Sequence, residues 1–91
     1  MDMYVHYKGG LYLLVGVAET HEHNGDRDAV YVSLTHGKLV TRPWAQDSRK
    51  QDAWTDVVQW PDGVDRPRYT RRDDLSEDTM IALLRCLKGS R

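Results

Sequence analysis

A chain of 91 residues has room for one hydrophobic core, because small domains bury a smaller share of their surface on folding, so a single domain spanning 1–91 is expected. Thirteen Lys and Arg against fourteen Asp and Glu leave a formal charge of −1, which excludes a global field toward nucleic acid or membrane and confines any such attraction to a local patch. The single cysteine, Cys86, excludes an internal disulfide, and the longest apolar run, Leu11 to Ala18, is far short of the roughly 20 residues of a membrane span.

Met1-Asp2-Met3 is neither basic nor followed by a signal core, so the expected setting is cytoplasmic, with no membrane partner. Phe is absent, while Tyr numbers five and Trp three. Each of these rings carries a polar handle that suits a half-buried position or a binding surface as well as the core of a small β domain.

In chain order, Met3 to Tyr7 alternates and stops at Lys8-Gly9-Gly10, and Leu11 to Ala18 follows, rich in strand-favouring residues. Two strands meeting at a glycine turn are expected. Glu19 to Asp28 is polar and contains Asn24-Gly25, a turn pair that marks the first exposed loop. Ala29 to Thr35, His36-Gly37 and Lys38 to Thr41 form a strand, a turn and a returning strand ahead of Arg42-Pro43. Trp44 to Asp52 is a polar insertion with no predicted conformation.

Trp54 to Trp60 is expected as a fifth strand, with Pro61-Asp62-Gly63 as a turn and Arg66 to Arg72 as a returning edge strand that tolerates Pro67. From Leu75 the period lengthens: Met80, Leu83, Leu84 and Leu87 fall at i, i+3, i+4 and i+7 on one helical face. Asp74 or Ser76 caps this helix, Glu77 and Asp78 favour its positive end, Arg85 and Lys88 its negative end, and Gly89 its stop. Four such side chains require a partner surface, expected to be the protein's own sheet or a second subunit.

The run His6-Tyr7-Lys8-Gly9, Tyr12, Gly16-Val17-Ala18, then Tyr31 and Arg42-Pro43, resembles the small bacterial and phage family known as domain of unknown function 1653. Ala53-Trp54-Thr55, Val57-Val58, Asp62-Gly63 and Pro67-Arg68-Tyr69 are similar to that family's later succession, so the likeness covers about residues 4–70. The family's Trp before Val-Arg-Pro is replaced here by Leu39, and Trp44 to Asp52 is longer than the corresponding segment. The resemblance implies a compact β-rich module and assigns no activity. A family found in phage also implies an accessory role, such as sequestering a host nucleotide signal.

Several constellations carry chemistry. His6 and Lys8 share one face by alternation, opposite Tyr7, and can grip an anion, or form an ordinary turn with a capped histidine. Arg42 before Pro43 presents a guanidinium from extended backbone, able to hold a phosphate or carboxylate bidentately or to tie the sheet to a loop carboxylate. Glu19, His21, Glu22, His23, Asp26 and Asp28 have metal-binding chemistry, but they lack cysteine or a second fixed pair, and a solvated loop is favoured with no metal assigned. Arg66, Arg68, Tyr69, Arg71 and Arg72 can track a phosphate backbone and stack a base, although Asp62, Asp65, Asp73 and Asp74 flank them. Cys86, Ser33 and Ser48 lack the context of a nucleophile, and no phosphate loop is present.

The expected protein is mainly β (α+β), a small antiparallel curled sheet or SH3-like partial barrel over 4–72 with one C-terminal amphipathic helix over 75–88. Its expected role is a non-enzymatic, cofactor-free binding module for a small anionic ligand such as a nucleotide, using His6, Lys8, Tyr31, Arg42 and Trp44. The alternatives are nucleic-acid binding through the 66–72 edge and protein interaction or homodimerisation through the helix or an exposed edge.

Overall fold

The computed structural model describes residues 2–20 and 25–89, with side chains as far as residue 86. Asn24 and the His21-Glu22-His23 segment lie outside the described residues. Seven strands precede one helix: β1 (Asp2–His6), β2 (Leu11–Glu19), β3 (Arg27–Ser33), β4 (Leu39–Pro43), β5 (Val57–Gln59), β6 (Asp65–Pro67), β7 (Tyr69–Arg71), a 3-10 turn (Arg72–Asp74) and α1 (Glu77–Gly89). The main sheet is antiparallel in the order β4-β3-β2-β1-β7, and β5 and β6 form a separate hairpin. The sheet is open: β4 and β7 are its edges and do not pair with each other.

Local chemistry explains the hairpins. Between β1 and β2 both Gly9 and Gly10 have positive φ (97° and 98°), which L side chains rarely adopt, and the Gly9 amide donates to the His6 carbonyl at 2.8 Å. A register shift between Leu14 and Gly16 inserts one extra residue into β2, a bulge that adds local bend and twist. At the β3–β4 turn the Gly37 amide donates to the Ser33 carbonyl at 2.7 Å, and in the Pro61-Asp62-Gly63 turn the Gly63 amide donates to the Trp60 carbonyl at 2.8 Å.

Paired residues in adjacent strands point to the same side, so the register divides the sheet into two faces. Tyr4, His6, Tyr12, Tyr31, Arg42 and Tyr69 share the first, aromatic face. Its buried cluster is Ala29, Tyr31, Trp54 and Tyr69. Met3, Val5, Leu11, Leu13, Val32 and Leu39 share the second, aliphatic face, where Val5 clusters with Trp60, Leu75 and Leu83.

Two expectations about the second half need correction. The fifth strand does not begin at Trp54: residues 53–56 turn, the Asp56 amide bonding back to the Ala53 carbonyl, and only Val57–Gln59 is extended. Trp54 is 1% exposed, stacked on Tyr69 with centroids 3.9 Å apart and planes at 4°. Burying this large ring removes it from any strand alternation. The edge strand over 66–72 is also divided. Arg68 interrupts it, its amide donating to the Asp56 carbonyl and its carbonyl accepting from the Tyr7 amide, so β6 joins β5 while β7 joins β1.

Helix α1 is capped by Ser76, whose Oγ accepts the Thr79 amide at 3.1 Å. Leu83 is buried against Val5, Trp60 and Leu75, and Met80 packs beside it, so the helix docks on its own sheet. Burial of Leu83 contributes roughly 1.5–3 kcal/mol before entropy. Leu84, expected on the docking face, is 55% exposed. The sheet surface beneath α1 accepts only the Met80–Leu83 stripe. The Leu87 side chain lies outside the described residues.

Candidate functional site

Alternation along β3 and β4, with the register Tyr31↔Val40 and Ala29↔Arg42, brings Tyr31, Val40 and Arg42 to the aromatic face. A cleft of about 360 Å³ opens there, lined by Tyr12, Tyr31, Ser33, His36, Lys38, Val40, Arg42 and Tyr69. No carboxylate is among them. Arg42 Nε donates to the Tyr31 hydroxyl at 3.2 Å, and the guanidinium carbon lies 5.3 Å from the centroid of the Tyr69 ring. Burial works against the Arg42 charge, but the Tyr31 hydroxyl, the electrostatics of Tyr69 and Tyr31 and the more distant charge of Asp52, which is outside the cleft lining, more than offset it and strengthen the guanidinium's hold on its proton. Its two Nη nitrogens have no hydrogen-bond or ion-pair partner among the described residues.

His6 borders this constellation through its ring contacts with Tyr69 (4.8 Å) and Tyr12 (6.2 Å). Burial, and then the positive charges of Arg42, Arg68 and Lys8, push its pKa down to about 4, so the ring is neutral at physiological pH. Its Nδ1 accepts the Lys8 amide at 3.2 Å. Burial, and then the neighbouring Tyr31 hydroxyl, push the Tyr69 phenol up, keeping it protonated.

Of the five residues expected to form one site, Tyr31 and Arg42 meet, and His6 lies beside them. Lys8 departs because the chain turns there and alternation ends. Its ammonium sits 5.6 Å from the Tyr7 ring, and it lines a different hollow with Gln59 and Trp60. Trp44 lines a third cleft with Tyr4, Trp54 and Pro67. Ser33, His36 and Lys38 are not among the residues that the sequence assigns to the site. The hairpin centred on His36-Gly37 carried the signal, since it returns Lys38 beside Ser33 and fixes which residues share a face with Arg42.

The basic edge is organised differently from a phosphate-tracking strip. Tyr69 is 3% exposed inside the aromatic cluster, so it does not offer a free face for stacking a base. Arg66 pairs with Asp62 at 2.8 Å and lies over Trp60. Arg68 approaches Asp52 and Asp56 at 3.6 and 3.7 Å and donates to the Ala53 carbonyl. Arg71 faces Asp2 and Asp73, and Arg72 donates to the Leu75 carbonyl. No helix is long and apolar enough to cross a membrane, and no cluster of metal-ligating side chains occurs among the described residues.

No family model, curated protein or solved structure matches the chain. The resemblance drawn from His6-Tyr7-Lys8-Gly9 and its companions therefore stands on those residues alone.

Proposed function

We propose that the protein is a binding module for a small anionic ligand such as a nucleotide, with Arg42 as the anion-holding residue and the cleft on the aromatic face as the site. The observation that carries the reading is the state of Arg42: half-buried, oriented by Tyr31, without a partner at either Nη nitrogen among the described residues, and set in a cleft whose lining holds no carboxylate. A guanidinium fixed at Nε presents its remaining donors as a fork that matches phosphate or carboxylate. Lys38 adds a second positive charge, while Ser33 and the Tyr12 phenol add polar groups. The volume of about 360 Å³ lies in the range of small-molecule sites. Kinship with a phage and bacterial family would make sequestration of a nucleotide signal the natural physiological role.

A thermal-shift screen of nucleoside mono-, di- and cyclic phosphates, with inorganic phosphate as a separate arm, tests this. Ligand at ten times its Kd stabilises by about 1.4 kcal/mol, a rise of about 6–11 °C for a domain of this size. The rise is expected to vanish in Arg42→Gln and to fall in Lys38→Gln. No stabilisation by any of these compounds at millimolar concentration, or an undiminished shift in Arg42→Gln, overturns the reading.

A further inference from the structure

Among the described residues, the aliphatic face is only half covered. The β5–β6 hairpin and α1 cover its β1 end, where Trp60 and Leu83 bury Val5. Beyond that point the register runs Met3↔Leu13↔Val32↔Leu39, one row of apolar side chains crossing four strands. Strand spacing makes this row about 14 Å long. Leu11 lies in the next row on one side and Val30 on the other, and none of these six carries a charge. A sheet face of this kind normally lies under a second layer.

The helix supplies a second, independent observation. Besides the docked Met80–Leu83 stripe, α1 exposes Ile81 and Leu84, spaced i and i+3. Leu84 and Leu11 both line one apolar hollow of about 270 Å³, together with Val5, Trp60 and Leu83. Bare helix stripe and bare sheet row are thus continuous through a cavity of the size that takes an inserted side chain.

We infer that this face is closed by a second copy of the chain in a two-fold, face-to-face sandwich. Three features select that occupant. The sheet part of the surface carries no charge, so it offers no electrostatic match to a partner of opposite sign, whereas an apolar face is complementary to itself. Its area suffices: with Met3, Leu11, Leu39, Ile81 and Leu84 exposed by 38, 38, 64, 48 and 55%, and Leu13, Val30 and Val32 partly open, each copy offers roughly 600 Å². A dimer thereby removes about 1,200 Å², the lower end for a stable and specific interface. The helix also fixes the symmetry. It stands above the β1 end alone, so an axis that laid β1 over β1 would set the two helices against each other and hold the sheets apart. An axis along the strands lays each β4 beside the other copy's helix, with the sheets about 10 Å apart. The partner's Leu39 then enters the hollow bounded by Leu11 and Leu84.

Sedimentation equilibrium of the full chain, from a few micromolar to about 500 µM, tests the inference. The expected result is a monomer–dimer equilibrium whose Kd rises at least tenfold in Leu39→Glu and in Leu84→Glu, since each puts a charge into an apolar contact. Both side chains face solvent in the single chain, so the variants are expected to keep its far-UV circular dichroism and Tm measured at low concentration. Val57→Glu, on the separate hairpin, is expected to leave the Kd unchanged. A wild-type chain that stays monomeric at about 500 µM overturns the inference, as does a dimer that both face variants leave intact or that Val57→Glu weakens equally.

Discussion

Acidification should destabilise the fold through His6 before the carboxylates begin to protonate. In the unfolded chain this imidazole titrates near 6.5, whereas in the native domain burial and the charges of Arg42, Arg68 and Lys8 lower its pKa to about 4. The native state therefore binds fewer protons, and the contribution of neutral His6 is fully present above pH 6.5 and declines as pH falls toward 4. Linkage between those two values gives a loss of about 1 kcal/mol at pH 6 and about 2 kcal/mol at pH 5. For a domain this small, the loss at pH 5 lowers Tm by about 8–16 °C. The assay is urea unfolding at pH 7, 6 and 5 for the wild type and His6→Gln, because the difference between their pH profiles removes the contribution of every other titrating group. An NMR titration that places the His6 pKa at or above 6.5, or a profile unchanged in His6→Gln, refutes the reasoning. An anion bound at Arg42 would offset part of the positive potential around the ring, so saturating ligand should move the His6 pKa upward.

Other outcomes follow from individual contacts. Trp54→Ala removes the ring stacked on Tyr69 and packed on Tyr4 and Tyr31, and should cost about 3–5 kcal/mol in urea unfolding, while Trp54→Phe should lose clearly less. Ser76→Ala deletes the cap of α1 and should lower stability by about 1 kcal/mol, with a small loss of helical circular dichroism. Gly10→Ala places a Cβ at φ +98° and 3.2 Å from the Tyr12 ring, so its Tm should fall, and hydrogen exchange should quicken first at the His6 and Gly9 amides of that turn. Since the arginines of 66–72 bond to carboxylates or to main-chain carbonyls, single-stranded RNA or DNA should produce no mobility shift even at low salt; a salt-steep shift would show those pairs to open.

Much of the fold follows from local pattern. β1 to β4, the turns at Gly9-Gly10 and Gly37, and the start of α1 at Ser76 all arise from alternation, turn chemistry and capping that act within a few residues. Trp54 does not, because its departure from the strand is set by Tyr69, Tyr31 and Tyr4, which are distant in sequence. The division of 66–72 has the same origin: Arg68 bonds to Asp56 and Tyr7, neither of which local periodicity can name. At the site, Arg42 was legible from its place beside Pro43, whereas the loss of Lys8 and the gain of Lys38 depend on where two turns stop the alternation. Leu84 was assigned to the docked face by period alone, but period cannot say how wide a stripe the sheet accepts.

The segment between Trp44 and Trp54 leaves and rejoins the domain at nearly one point. The Trp54 amide donates to the Pro43 carbonyl and the Thr55 amide to the Trp44 carbonyl, while the Trp54 indole anchors the return. Between these fastenings, Gln46 ties the excursion to Asp56, and the exposed residues Ala45, Gln46, Ser48, Lys50, Gln51 and Asp52 bury little. The middle of the loop is pinned to β3 as well, Arg49 pairing with Asp28 at 2.8 Å and donating to the Arg27 carbonyl. Substitution at exposed positions such as Ala45, Lys50 and Gln51 therefore changes the chemistry of this excursion without touching the residues that line the Arg42 cleft.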